Sequence, residues 1–280
     1  MKRGFACRPF VLSLAVLCAA AVRSDVPPAP RVEGFRLSGE QWTCTADGKP
    51  LSGVMLRPEG PGPFPAIILS HGMGGNAQTL LRTRGPDLVN RGFICIATDY
   101  THAGKSGGQD RRSGLDFSQA GARPENIRRG LACLELLRQR TDVDPKRIAL
   151  YGHSMGAFLT IALAAAAPDK IAAAAITAGG VVPNTVNAAA PTAGVASRIR
   201  APFLILHGTA DTTVPPERSA LLKQTLDAQG VPNARHLFEG VGHGLPVEKS
   251  EEVSRLMGEW FTAHKVLLPS AAKSLPPGID

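Results

Sequence analysis

The sequence has no apolar run long enough to cross a membrane. The run near its start, Phe10 to Ala21, covers about a dozen residues, against roughly 20 for a spanning helix. It has no cluster of Lys and Arg interleaved with aromatics, so its basic excess does not point to nucleic acid. Its histidines, cysteines and carboxylates show no metal-ligand spacing, and no metal or cofactor is expected. No internal repeat is present, which excludes a solenoid. Cysteine is scarce, at five residues. Cys95 falls in an apolar strand pattern and Cys133 on an apolar helix face, as core packing would have them. The cysteine count rules out a complete disulfide framework and leaves open whether Cys44 forms one bridge.

What is present fits one large α/β domain. The 280 residues can bury a sizeable core, and 44% hydrophobic with 19% charged residues is ordinary for a globular chain. Lys2, Arg3 and Arg8, the apolar run and Ala19-Ala20-Ala21 together read as a secretory signal peptide over 1–21, cut near Ala21–Val22. The expectation is therefore an exported protein, periplasmic or extracellular, with no stable membrane insertion once the signal is removed. Cys18 follows the bulky Leu17, which argues against lipidation. A formal charge of +8, less the three charges of Lys2, Arg3 and Arg8, leaves +5. Residues 22–34 read as a flexible Pro-rich leader, 35–266 as the folded domain and 267–280 as a loose tail.

Along the domain, strand patterns alternate with helical ones. Two antiparallel strands are expected between Phe35 and Leu56, turning at Asp47-Gly48. Short apolar strands follow at Ala66–Ser70, Phe93–Thr98, Arg147–Tyr151, Ile171–Thr177, Phe203–Leu206 and Arg235–Phe238. Helices are expected at Asp87–Arg91, from Pro124, from Ala157 to Ala167, and at Glu217–Ala228 and Glu248–His264. Asp142–Lys146 reads as a turn, and Val181–Ala201 as a long loop too short for a cap domain. This order implies βαβ units and a mostly parallel central sheet with helices on both faces, led by an antiparallel hairpin. Chemistry in such sheets gathers at the carboxyl ends of the strands.

The sharpest motif is Gly152-His153-Ser154-Met155-Gly156, between a buried strand and an alanine-rich helix. Strand, Gly-x-Ser-x-Gly and helix make a nucleophile elbow, in which the glycines let strand and helix approach around an exposed serine hydroxyl. A serine hydroxyl needs an imidazole to take its proton and a carboxylate to orient that imidazole. Asp211 and His243 each follow a predicted strand, and the order Ser154, Asp211, His243 is the order of such triads on α/β sheets. Asp99, at the end of an earlier strand, is the competing acid. The backbone N–H groups of Met155, after the nucleophile, and Met73, after an earlier strand, are the expected oxyanion-hole donors.

With these motifs quoted, the chain resembles the α/β-hydrolases, in the dienelactone-hydrolase-like and prolyl-oligopeptidase-like branch. The resemblance rests on the leading hairpin, His71-Gly72-Met73-Gly74-Gly75, the elbow, His207-Gly208-Thr209-Ala210-Asp211 and Gly242-His243, and runs from about Gln41 to Val266. It implies a serine hydrolase cleaving carboxylic esters, small or polymeric, through an acyl-enzyme. Dienelactone hydrolases proper use a cysteine nucleophile; Ser154 stands there instead, which favours a general esterase over a lactone enzyme. A peptidase acting on short peptides is the alternative. Three other classes compete. Gly72-Met73-Gly74-Gly75-Asn76-Ala77 with Asp99 mimics a dinucleotide fingerprint, but no helix is expected to open within it. Gly104-Lys105-Ser106 hints at a P-loop whose first glycine would fall on Asp99. A non-catalytic binding protein would not require all three triad residues. Natural substrate and oligomeric state are not encoded in any motif.

Overall fold

The computed structural model describes residues 27–104, 117–183 and 189–268. The expected signal peptide, residues 22–26 of the leader, Lys105 and Ser106, and the tail beyond Leu268 lie outside the described residues. Among the described residues, nine strands form one sheet: β1 (Val32–Ser38), β2 (Gln41–Ala46), β3 (Lys49–Leu56), β4 (Phe64–Ser70), β5 (Ile94–Thr98), β6 (Val143–His153), β7 (Ala173–Thr177), β8 (Phe203–Gly208) and β9 (Asn233–Phe238). Their spatial order is β1-β2-β3-β5-β4-β6-β7-β8-β9. The first three strands run antiparallel, and β4 to β9 are mutually parallel. The chain is an α/β fold with a mostly parallel central sheet, as its pattern implies.

The sheet is apolar on both sides because its strands carry two alternating sets of side chains. In β4, Ile68 faces one core, while Ile67 and Leu69 face the other. The first core is completed by α2 (Pro124–Arg138), α3 (Met155–Ala166), α4 (Ala193–Ala196) and α5 (Glu217–Ala228). The second is completed by α1 (Ala77–Asn90) and α7 (Ser250–Ala263), which bring Leu81, Leu88, Met257 and Phe261 onto it. Each such fully buried side chain contributes about 1.5–3 kcal/mol. A short helix, α6 (Leu245–Glu248), precedes α7.

Several elements differ from the sequence expectation. The leading unit is three strands rather than two. The Asp47-Gly48 turn is present with both residues at positive φ (51° and 74°), and β1 pairs on β2 ahead of it. Strand β1 thus starts before Phe35, and at the other end Leu267 is buried in the core. Helix α1 starts ten residues before Asp87, because Pro86 lies inside it rather than at its start. Its first turn is fixed by Asn76, whose Oδ1 accepts from the Thr79 amide at 2.8 Å. A helix does therefore follow the glycine motif directly. The acid of the supposed dinucleotide fingerprint has another task, since Asp99 Oδ1 accepts from the Ala77 amide at 2.7 Å. That carboxylate occupies the helix N-terminus a phosphate would need. Strand β6 already begins at Val143, where a turn over Asp142–Lys146 is expected, and the closing helix is split into α6 and α7. Within the expected 181–201 loop, α4 forms and Val182 bridges to Thr192; residues 184–188 lie outside the described residues.

Candidate active site

Parallel pairing puts the carboxyl ends of β4, β6, β7, β8 and β9 on one rim. Ser154 follows β6 directly and opens α3 with φ 56° and ψ −120°. A non-glycine residue there costs about 1–3 kcal/mol and persists only when its surroundings leave no alternative. Those surroundings are backbone. A Cβ at Gly152 would lie 2.2 Å from the Gly156 carbonyl oxygen, and one at Gly156 would lie 1.9 Å from that of Ser70. Only glycine fits either position. The Ser154 amide donates to the Thr177 carbonyl of β7 at 3.1 Å, which anchors the turn to the neighbouring strand.

The three residues expected to act together meet. Ser154 Oγ lies 2.9 Å from His243 Nε2, and His243 Nδ1 lies 2.8 Å from Asp211 Oδ2. With a carboxylate as its partner, Nδ1 carries the proton, so Nε2 is free to accept from the serine hydroxyl. The other oxygen of Asp211 accepts from the amides of Thr213 and Val214, both at 2.9 Å. Burial would raise the Asp211 carboxyl pKa; the Val214 amide, His243 and the Thr213 amide overcome this and hold it below the ordinary value. His207, buried beneath, directs Nε2 at the Val214 carbonyl (2.8 Å) and stands 3.3 Å from Asp211 Oδ2. Asp99 is elsewhere. Its side chain is 59% exposed, caps α1 and lies 4.0 Å from His71, whereas the Asp211 side chain is fully buried against His243.

The loop carrying Met73 passes close to Ser154. A Cβ at Gly72 would stand 3.4 Å from Ser154 Cβ. Met73 and Met155 both border the cavity above Ser154, and neither amide has an acceptor among the described residues. The Met155 amide also lies at the start of α3, where negative charge is favoured.

Two buried histidines hold this loop. His71 Nδ1 donates to the Gly72 carbonyl at 3.0 Å, and its Nε2 accepts from the Tyr100 amide at 3.1 Å. His102 Nε2 donates to the His71 carbonyl at 3.2 Å, and the His102 carbonyl accepts from the Gly74 amide at 3.1 Å. Burial pushes His71 down to about 4 and His102 to about 3, so both rings stay neutral and keep these tautomers at neutral pH. Asn126 of α2 ties the same region together, accepting from the Thr101 amide at 2.9 Å and donating to the Gly121 carbonyl at 2.9 Å. Sequence reasoning identifies neither His102 nor Asn126, since their partners lie 31 and 25 residues away. His153 is also missed, although it is the variable residue of the elbow; its Nδ1 pairs with Thr177 Oγ1 at 3.1 Å, and its ring centroid lies 5.0 Å from that of His243.

The cavity over Ser154 has a volume of about 480 Å³ and is walled by Met73, Met155, Phe158, Val214, Arg218 and His243. The Arg218 guanidinium lies 5.9 Å from the Phe158 ring centroid. Among the described residues no group of three or more His, Cys, Asp or Glu could hold a metal ion.

Comparison with known proteins agrees with this arrangement at the level of family and fold. The chain is 30% identical over 114 residues to the quorum-quenching protein AidA of Acinetobacter baumannii, covering 41% of this chain and 35% of that protein. It is 32% identical over 127 residues to esterase EstD of Thermotoga maritima, covering 44% and 29% respectively. The chain thus spans about a third of the length of these relatives. Among solved structures, it is similar to a thermophilic esterase of Thermogutta terrifontis, with a TM-score of 0.61 at 18% identity over 87% of this chain and 95% of that one. It is also similar to a puromycin-hydrolyzing peptidase of Mycobacterium tuberculosis, with a TM-score of 0.63 at 22% identity over 85% and 40%. The dienelactone hydrolase family profile matches residues 51–265, from β3 past α7 and through every element that carries the site, and the chain belongs to that family of hydrolases.

Proposed function

We propose that this protein is a serine esterase that cleaves carboxylic esters through an acyl-enzyme on Ser154. The observation that carries the reading is the unbroken relay from Ser154 Oγ to His243 at 2.9 Å and from His243 to buried Asp211 at 2.8 Å. Ser154 Oγ attacks the ester carbonyl carbon while His243 Nε2 takes its proton. The negative charge that develops on the carbonyl oxygen faces the Met73 and Met155 amides, which strengthens their bonds in the transition state. Asp211 stabilises the imidazolium. The tetrahedral intermediate collapses, His243 gives its proton to the departing alkoxide, and the acyl group stays on Oγ. Water, deprotonated by the same imidazole, then releases the acid.

The expected substrates are small or polymeric esters. Ser154→Ala should reduce kcat on a p-nitrophenyl ester by several orders of magnitude, leaving roughly 10³-fold over water. Near wild-type turnover in that variant would remove Ser154 from the mechanism. An aminoacyl-nitroanilide panel run beside the esters discriminates the peptidase alternative, since amide turnover at rates above ester turnover would reassign the enzyme. We also propose export with cleavage near Ala21. N-terminal sequencing of periplasmic or secreted protein tests this, and an intact Met1 on cytoplasmic protein would contradict it.

A further inference from the structure

A second cavity of about 480 Å³ lies beside the first, between α1 and α6. Thr79 and Leu80 form one wall and Pro246 and Val247 the other, and Gly72 and His153 border both cavities. Gly72 lies close against the Ser154 turn at this shared border: a Cβ there would stand 3.3 Å from the His153 carbonyl oxygen and 3.4 Å from Ser154 Cβ. The segment after His243 closes the other side, since Gly244 also borders the second cavity. Because the two cavities share Gly72 and His153 as borders, the second offers a further direction for a group attached to a carbonyl at Ser154.

The chemistry of the wall selects what extends there. Most of its deeper polar groups are already satisfied. Both nitrogens of His71 are engaged, His153 Nδ1 and Tyr151 OH each meet Thr177 Oγ1 at 3.1 Å, and Asn76 caps α1. The Arg84 guanidinium is bonded to the Pro246 carbonyl and to Ser250 Oγ, which pins α6 against α1. A polar ligand would find few unpaired groups to answer it. By contrast, Val247 on the rim leaves 84% of its surface open, an apolar side chain that no packing in the fold accounts for. An apolar occupant would cover it, gaining about 25 cal/mol per Å² of apolar surface removed from water. The volume falls within the range of about 300–1,000 Å³ typical of small-molecule pockets.

We propose that this cavity is a second substrate subsite that binds an apolar chain of the ester cleaved at Ser154. The proposal rests on the esterase reading and deepens it: the preferred substrates carry a medium-length hydrocarbon group, from either the acyl or the alcohol side.

Thr79→Trp and Val247→Trp narrow the cavity from opposite walls at exposed positions, away from the reacting groups. Each variant and the wild type is assayed on p-nitrophenyl acetate, butyrate and octanoate, and on ethyl, butyl and octyl acetate by pH-stat titration, with folding checked by thermal melt. The expected result is a loss of at least tenfold in kcat/KM for the octyl member of one series, with acetate or ethyl acetate within twofold of wild type. Movement in the acyl series assigns the subsite to the acyl chain, and movement in the alkoxy series assigns it to the alcohol. If both folded variants keep the wild-type long-to-short ratio in both series, or lose long and short esters equally, the subsite assignment is wrong while the esterase reading stands. If the wild type turns over no ester at all, both readings fall.

Discussion

The turn at Ser154 and the loop over residues 71–76 lie against each other, yet different forces hold them. The Ser154 turn is fixed by backbone crowding within five residues, because glycine alone fits at Gly152 and Gly156. The loop is fixed by side chains that arrive from far along the chain, above all His102. The position of Ser154 is thus set by local sterics and that of the proposed oxyanion donors by long-range hydrogen bonds. Damage to the first should affect folding and chemistry together, whereas damage to the second should affect chemistry more selectively.

The largest expected effect separates Asp211 from Asp99, two acids at strand ends with opposite surroundings. Asp211→Asn keeps the shape but favours the wrong imidazole tautomer, and kcat at neutral pH should fall by about 10⁴-fold. Asp99→Asn should leave kcat within a fewfold of wild type, since that carboxylate caps α1 while His243 bonds to Asp211 and Ser154. Steady-state kinetics on the two variants, each checked for folding, decide between them. Loss of turnover in the Asp99 variant alone would reverse the assignment.

The next effect tests the crowded turn. Gly156→Ala puts a methyl against the Ser70 backbone, which cannot give way without moving β4, so overpacking should cost about 1–3 kcal/mol or more. For a domain of this size that is roughly 2–4 °C in Tm per kcal/mol. A thermal melt alongside an activity assay measures it, and an unchanged Tm with full activity would mean that the turn is not held by backbone crowding.

These two tests bear on what the sequence made legible. The Ser154 turn was readable because its cause is local: Gly-x-Ser-x-Gly between an apolar strand and an alanine-rich helix leaves little else for the chain to do. Asp211 and His243 were readable because each falls just after a strand in a parallel sheet, and their meeting at 2.8 Å is what such a rim permits. Helix α1 was not, because Gly85-Pro86 inside it reads as a break, and Asp99, which caps its start, is 22 residues away from Ala77. His102 carried no local signal at all. Its role exists only once β4 and the segment after β5 are neighbours.

A smaller effect follows for His102. In His102→Ala the His71 carbonyl loses its donor and the loop its brace, so kcat should fall by roughly tenfold, less than the 10²–10³-fold typical of losing an oxyanion donor outright. His102→Asn, which keeps an N–H donor, should recover part of that loss. Equal defects in both variants, appearing only in KM, would assign the residue to substrate binding rather than to loop position.

The smallest effect is in pH dependence. His71 and His102 are held neutral in the folded state, at about 4 and about 3, against about 6.5 in the unfolded chain. Folded pKa values below the unfolded value mean that their contribution is complete above about pH 6.5 and is lost progressively as pH falls toward 4. Tm should therefore drop by several degrees across that window, and His102→Asn should flatten part of the fall. A Tm curve of the same shape in wild type and variant would show that acid sensitivity arises elsewhere.

The central claim is that Ser154, activated by His243, is the group that becomes acylated. Reaction with a fluorophosphonate, followed by intact mass and peptide mapping, tests it most directly. One adduct per chain is expected, on the peptide containing Ser154, formed slowly or not at all in a folded His243→Ala variant. An adduct on a different residue, or full ester turnover by protein carrying the adduct on Ser154, would contradict it.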